Sequence, residues 1–326
     1  MIKTNRKRKQ LKLPLRIKLP IILNFLLFIF IGKVEAQCLS SVNPVGGTDN
    51  LLVLKKNAFR VISFYKNGRG SHYFEGSQRA DFNLISKAHY NYFSTILGFG
   101  VTEKLTLEME SGYFINKTQK YDVGEGYRLT GSGFSNFIAL AKQSLFTDPS
   151  KRFFLTAALG AKIPSTRNLQ YVNHVKLPVE VQPTLGSYGA VFSFSLVKED
   201  SFHGLRYFLT SRAETHLPNK ENYQPGTVVF SSAYVSKHLM YPWLKGDWTA
   251  IFQLKNEIRT YDRMNKHRKE SSGSLLFFAV PQINYVLSKK WYLSAMVDIP
   301  VYQYFNGTQL GAGTGWTLVL SRVFEG

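Results

Sequence analysis

Residues 91–114 read NYFSTILGFGVTEKLTLEMESGYF, and their pattern decides the fold. In the first arm Phe93, Leu97, Phe99 and Val101 alternate with Tyr92, Ser94, Gly98 and Gly100, interrupted only at Thr95 and Ile96. That two-residue period belongs to a strand. In the second arm Leu105, Leu107, Met109 and Tyr113 share one face, while Thr106, Glu108, Glu110 and Gly112 share the other. Only Thr102, Glu103 and Lys104 remain to turn the chain, so the two arms form a hairpin. Alternation alone does not say whether the apolar face meets a protein core or lipid.

Working outward, the same reading gives strands near 58–65, 87–101, 105–116, 128–145, 152–163, 187–198, 205–216, 227–239, 247–261, 274–287, 291–302 and 314–324. The connections alternate in length. Those at 102–104, 146–151, 199–204, 240–246 and 288–290 are turn-like. Those at 66–86, 117–127, 164–186, 217–226, 262–273 and 303–313 are longer and rich in Asn, Gly, Ser and charge. Short turns at one end and long loops at the other are the layout of an all-β transmembrane antiparallel β-barrel of about 12 strands. Aromatic residues make up 14% of the chain and recur near strand ends, as at Tyr65, Tyr113, Trp248, Tyr285, Trp291 and Trp316, which suits interfacial girdles. Closure is obligatory, because an open sheet edge in hydrocarbon leaves backbone groups unpaired at several kcal/mol each. Most of these strands exceed the ~9–11 residues needed to cross at a steep tilt, with 58–65 marginal.

The chain opens with a basic stretch from Lys3 to Lys18, an apolar run over 21–32, and Val34-Glu35-Ala36, the pattern of a cleavable signal peptide over 1–36. The apolar run is shorter than the ~20 residues of a membrane-spanning helix. Removing 1–36 takes away nine Lys/Arg and one acid, so the net charge of +20 falls to +12. The remaining cations are scattered over strands and loops, which argues against a nucleic-acid partner and fits contact with outer-membrane lipids. Residues 37–57, with the turn cluster Pro44-Val45-Gly46-Gly47, read as a short periplasmic leader before a barrel over 58–326, too small for a globular plug domain but long enough to occlude a small lumen in part. The single cysteine, Cys38, allows no intramolecular disulfide and no multi-cysteine metal site. The sequons at Asn116 and Asn306 read as polar loop residues.

If the apolar faces look outward, the opposite faces line a lumen. The candidates are Glu108 and Glu110 beside Thr106; Arg212 and Glu214 with Thr210 and His216; Gln253, Lys255, Glu257 and Arg259; and Asp298 with Tyr292, Ser294 and Tyr302. Both signs of charge are present, so these groups either neutralise one another structurally or line a solute pathway. The alternation over 134–142 and 228–238 does not assign faces. No Ser-His-acid arrangement, metal-ligand spacing or cofactor motif emerges, since Ser71-His72 is an adjacent pair in a loop with no companion segment. The sequence therefore indicates no catalytic residue, no metal and no cofactor.

Four segments carry a family resemblance: LGFGVTEKLTLEMESGYFINK (97–117), SGFSNFIALAK (132–142), LGAKIPST (159–166) and LPVEVQPTLGSYGA (177–190). In this order they resemble outer-membrane transporter-like barrels of Bacteroidota, relatives of the phenol-degradation meta-pathway barrels and similar to the fatty-acid-channel superfamily. Asn136 stands where an Asp is usual in that family, and Ser165-Thr166 where a Thr-Gly pair is usual. The last strand also resembles the C-terminal signal read by barrel-assembly machinery. The resemblance implies a cell outer-membrane location and a passive channel for small, hydrophobic or aromatic molecules, with no catalytic residue. A plugged structural or surface-interaction barrel, and an outer-membrane lipid hydrolase, remain as alternatives; the solute is left unknown.

Overall fold

The computed structural model describes residues 50–325 other than 123–125, 201, 242, 289 and 290. The expected signal peptide and all of the leader before Asn50 lie outside the described residues. Twelve long strands follow one another: β1 (Phe59–Gly70), β2 (Ile85–Gly100), β3 (Leu105–Tyr121), β4 (Asn136–Asp148, preceded by the segment Arg128–Phe134), β5 (Phe153–Pro164), β6 (Gly189–Asp200), β7 (Leu205–His216), β8 (Val228–Leu239), β9 (Asp247–Arg259), β10 (Ser274–Ser288), β11 (Trp291–Leu310) and β12 (Gly315–Phe324). Each pairs antiparallel with its sequence neighbours. Pairing of β1 with β12, from Phe59 opposite Phe324 to Asn67 opposite Trp316, closes the ring. All ladder hydrogen bonds are thereby satisfied within the wall, the condition for sheet structure in hydrocarbon.

The opening hairpin shows which face looks where. Leu107 and Met109 are 49% and 50% exposed on the outer surface, whereas Glu108 and Glu110 are 4% exposed and point inside. Phe93, Leu97 and Phe99 are also exposed. Outward rings pair at both ends of the wall. Phe59 with Phe324 at 6.0 Å and Trp248 with Tyr285 at 4.4 Å lie toward the short turns; Tyr65 with Trp316 at 5.1 Å and Tyr113 with Phe134 at 5.1 Å lie toward the long loops. Such girdles mark the two interfaces of a membrane-spanning barrel.

Several boundaries differ from the sequence reading, each for a local reason. The first strand runs twelve residues rather than the marginal eight, because Lys66–Gly70 continues the ladder opposite Tyr92–Ala88. Gly68 allows this, since a Cβ there would sit 2.4 Å from the Tyr90 ring. The stretch 128–145 is interrupted at Ser135, beside Gly133 with φ of 134° and a bulge in β3 between Phe114 and Lys117. The stretches 117–121 and 303–310, read as loops, extend β3 and β11. A register shift between Phe277 and Phe278 then pairs Tyr302 with Phe277, so Tyr302 is exposed rather than inside.

The inside of the wall is not uniformly polar. Ile62, Phe64, Tyr90, Tyr92, Phe114 and Phe278 form one buried cluster along the β1–β3 and β10 side. Tyr92 lies flat across Gly112, where a Cβ would fall 1.9 Å from its hydroxyl, and that hydroxyl reaches Ser135 Oγ at 3.1 Å.

Candidate functional site

Three ion networks cross the barrel interior. In the first, Glu108 Oε1 accepts from Arg60 Nη2 at 2.9 Å and Lys142 Nζ at 2.7 Å. In the second, Arg212 grips Glu110 through both terminal nitrogens at 2.8 and 2.9 Å, and its Nε donates to Glu214 Oε1 at 2.9 Å. Lys162 Nζ completes that network with Glu214 Oε2 at 2.6 Å and His216 Nε2 at 3.1 Å. In the third, Asp298 receives Lys255 Nζ at 2.6 Å and Lys66 Nζ at 3.1 Å. Period-2 spacing explains the clustering, because Glu108 and Glu110, or Arg212, Glu214 and His216, fall on one face of one strand. A planar guanidinium bridging two carboxylates is the geometry that suits Arg over Lys.

Of the residues expected inside from sequence, Glu108, Glu110, Arg212, Glu214, Gln253, Lys255 and Asp298 are buried and paired; Gln253 donates to Ser232 Oγ at 2.9 Å and to the Tyr234 hydroxyl at 3.0 Å. Glu257 and Arg259 stand higher on β9 and are half-buried. Sequence reasoning missed Arg60, Lys66, Lys142 and Lys162, the cations that neutralise the acids. For Arg60, Lys66 and Lys142 the same inner faces also carry apolar residues (Ile62 and Phe64 on β1, Ile138 and Leu140 on β4), so the period-2 polarity signal cancels there, whereas Lys162 follows the small Ala158 and Gly160 on β5.

Two segments outside the wall enter the barrel. From the short-turn end, residues 50–54 rise into the interior. Asn50 Nδ2 contacts Glu108 Oε2 at 3.4 Å, and its backbone oxygen accepts from Lys142 Nζ at 2.6 Å. Its side-chain oxygen accepts from Arg60. The Leu51 oxygen accepts from Thr156 Oγ1 at 3.0 Å, the Leu54 nitrogen donates to Thr106 Oγ1 at 2.8 Å, and Leu51 packs on Val197, Phe208, Tyr234 and Ile251. Gly100 makes the close approach possible, because a Cβ there would meet the Lys55 carbonyl oxygen at 1.9 Å. Residues 50–54 of the stretch 37–57 thus lie inside the barrel, and Lys55, Lys56 and Asn57 emerge exposed before β1.

From the long-loop end, residues 177–187 of the β5–β6 connection fold inward, with Leu177, Val181 and Thr184 buried. Gln182 ties the fold, donating to the Gln170 and Leu177 oxygens at 3.0 and 2.9 Å, while Lys117 Nζ on β3 donates to the Gln182 oxygen at 3.0 Å. Asn219 holds the Leu185 oxygen at 2.9 Å. Burial pushes the Glu180 carboxyl in this loop up to about 7, opposed by the charges of Lys117 and Arg259 and reinforced by Asp262. A carboxyl raised on folding favours the seated loop when protonated, and that contribution is lost as pH rises through about 7. Hydrogen exchange over 177–187 should therefore be more protected at pH 6 than at pH 8 after correction for intrinsic rates. Glu180→Gln should remove the difference, and equal protection at both values in the unsubstituted protein would contradict this account of the loop.

Cavities lie along the interior, among them one of about 50 Å³ beside Lys66, Tyr90, Lys255 and Asp298 and three stacked between the two entering segments and the short-turn end. One of about 560 Å³ lies at the short-turn end, lined by Leu51, Phe208, Ile251 and the Glu199, Arg206 and Asp247 rim. Across Leu51 and Asn50 lies one of about 40 Å³. Glu110 and Phe230 separate that from one of about 100 Å³ beneath the inward loop. The partitions are thus the leader, the Arg212 network and the loop.

A closed twelve-stranded antiparallel ring with an apolar, girdled exterior and a charged interior is a transmembrane β-barrel of the outer-membrane class. No family model matches the chain, and no curated protein does. Among solved structures it is similar to an outer-membrane channel from Pseudomonas putida F1, at a TM-score of 0.65 and 13% identity, over 87% of this chain and 100% of that one. The β domain of a Bordetella autotransporter aligns at 0.48 and 8% identity, over 82% and 100% of the two chains. A FadL homologue from Pseudomonas aeruginosa aligns at 0.39 and 9%, over 82% and 90%.

Proposed function

We propose that this barrel is a passive conduit for small molecules in the outer membrane and has no enzymatic role. The observation that carries the reading is that two segments from outside the wall, 50–54 and 177–187, enter the barrel and close it at either end of the Arg212 network. Each is held through a few hydrogen bonds to the wall, as by Lys142 and Lys117, and each borders a cavity. The channel fold it shares with the Pseudomonas putida protein supports the same reading. In this reading the short turns, with the start of the first strand and the end of the last, face the periplasm and the long loops face outward, with membrane lipids around the wall. The last strand is what the assembly machinery recognises. The resemblance to phenol-degradation meta-pathway barrels adds hydrophobic or aromatic solutes as the cargo.

A specific observation favours the second reading, a plugged structural barrel: every acid of the three networks has a cation against it, and the central cavity is only about 40 Å³. Solute flux into liposomes decides between them. Purified barrel in vesicles should pass small uncharged and aromatic solutes several-fold faster than empty vesicles, whereas rates equal to empty vesicles would establish the plugged barrel.

A further inference from the structure

The cavity of about 100 Å³ beneath the inward loop contains two polar groups that the protein leaves underused. Lys117 is 3% exposed; among the described residues its ammonium makes one hydrogen bond, to the Gln182 carbonyl oxygen, lies 5.0 Å from the centre of the Phe114 ring, and forms no ion pair with a carboxylate. An ammonium carries three donors, and burying one without an anion is costly. Ser187, also buried, has a hydroxyl with no hydrogen-bond partner among the described residues. Both side chains line this one cavity. The carboxylates of Glu110 and Glu214 also border it, but their oxygens are held by Arg212 and Lys162. Glu180 faces Lys117 electrostatically from the loop without pairing with it. The rest of the lining is mixed, with Lys162, His216 and Arg259 among its polar members and Phe114, Phe230 and Ile138 among its apolar ones.

We infer that this cavity is a binding site for a small monocarboxylate with an apolar body of a few carbons. The carboxylate lies against Lys117 Nζ and the Ser187 hydroxyl, with the carbon chain among Phe114, Phe230 and Ile138. A carboxylate supplies the acceptor lone pairs that both donors lack, and charge-assisted bonds of this kind are about twice as strong as neutral ones. Size sets the upper limit, since an apolar cavity of ~150 Å³ accepts benzene and this one is smaller. The inference rests on the conduit reading only in requiring that solute reach the interior; binding and flux are measured separately.

Isothermal titration of the folded barrel in detergent, with butanoate as the probe and n-butanol as its uncharged counterpart, tests the site. Butanoate should bind saturably and at least tenfold more tightly than n-butanol. Lys117→Met should abolish that preference, and Ser187→Ala should weaken butanoate several-fold with n-butanol unaffected. Heat-modifiability on gels verifies that each variant is folded; should Lys117→Met fail to fold, Ser187→Ala and the butanoate to n-butanol ratio carry the test. Equal binding of butanoate and n-butanol would overturn the site, as would chloride competing as well as butanoate, because the apolar contacts would then contribute nothing. Flux without butanoate selectivity sinks the site and leaves the conduit, whereas selective binding without flux does the reverse.

Discussion

Arg212→Met should lower the unfolding temperature of the barrel more than any other single substitution inside it. The guanidinium holds Glu110 with two bonds and Glu214 with a third, all buried. Methionine fills similar space but leaves Glu110 with no cation and Glu214 with Lys162 alone. Removing one partner of a buried ion pair costs about 3–5 kcal/mol, chiefly because the remaining charge stays desolvated. Arg212→Lys should fall between, since a single ammonium cannot reproduce the bidentate grip. The combination of Arg212→Met with Glu110→Gln should recover part of the loss, because the stranded charge is removed along with its partner. The measurement is the temperature at which the folded, fast-migrating gel band disappears. A single variant as heat-resistant as the unsubstituted protein would show that the network is not structural and that its charges are free to serve a solute.

Much of this architecture is visible in the hairpin at 91–114, because a wall with lipid on one side forces strict alternation wherever the inner face is polar. Glu108 and Glu110 stand out for that reason, as do Arg212, Glu214, Lys255 and Asp298. The inner face ceases to be polar where something apolar packs on it from inside. Ile138 and Leu140 meet Val191 within the barrel, while Ala139 and Ala141 look outward, so the polarity of β4 is nearly inverted and Lys142 is hidden from a pattern reading. On β1, Ile62 and Phe64 pack with Tyr92 and Ile96, which conceals Arg60 and Lys66 in the same way.

The two entering segments were harder to see, since their positions depend on contacts between residues far apart in sequence. Each nevertheless carries a signal. Asn50-Leu51-Leu52-Val53-Leu54 and Leu177-Pro178-Val179-Glu180-Val181 are more apolar than exposed loops require. Gly98 and Gly100 on the inner face of β2 are a third signal: Leu54 and the Lys55 carbonyl occupy the space that side chains there would fill. A glycine inside a strand often marks a close approach; at Gly68 and Gly112 the neighbour is a tyrosine ring, and at Gly100 it is the backbone at Lys55.

Replacing residues 50–54 with a Gly/Ser segment of equal length should raise single-channel conductance several-fold while leaving the wall intact. The leader is held by hydrogen bonds from Lys142 and Thr156, by the contact of Asn50 with Glu108, and by the packing of Leu51 on Val197, Phe208, Tyr234 and Ile251. Burying one leucine contributes about 1.5–3 kcal/mol, and a Gly/Ser segment supplies none of it. The flexible chain also loses more entropy on entering the barrel. Both effects shift the segment out of the lumen, so the cavities of about 560 and 40 Å³ that Leu51 separates should join. Lys142→Met should act in the same direction but less strongly, because it removes the bond to Asn50 while Thr156 still holds Leu51. The gel shift should remain close to that of the unsubstituted barrel, since no wall ladder includes residues 50–54. Unchanged conductance after replacement would place the barrier at the Arg212 network or the inward loop instead, and combining the replacement with Glu110→Gln and Arg212→Met, or with a Gly/Ser segment over 177–187, would show which of the two it is.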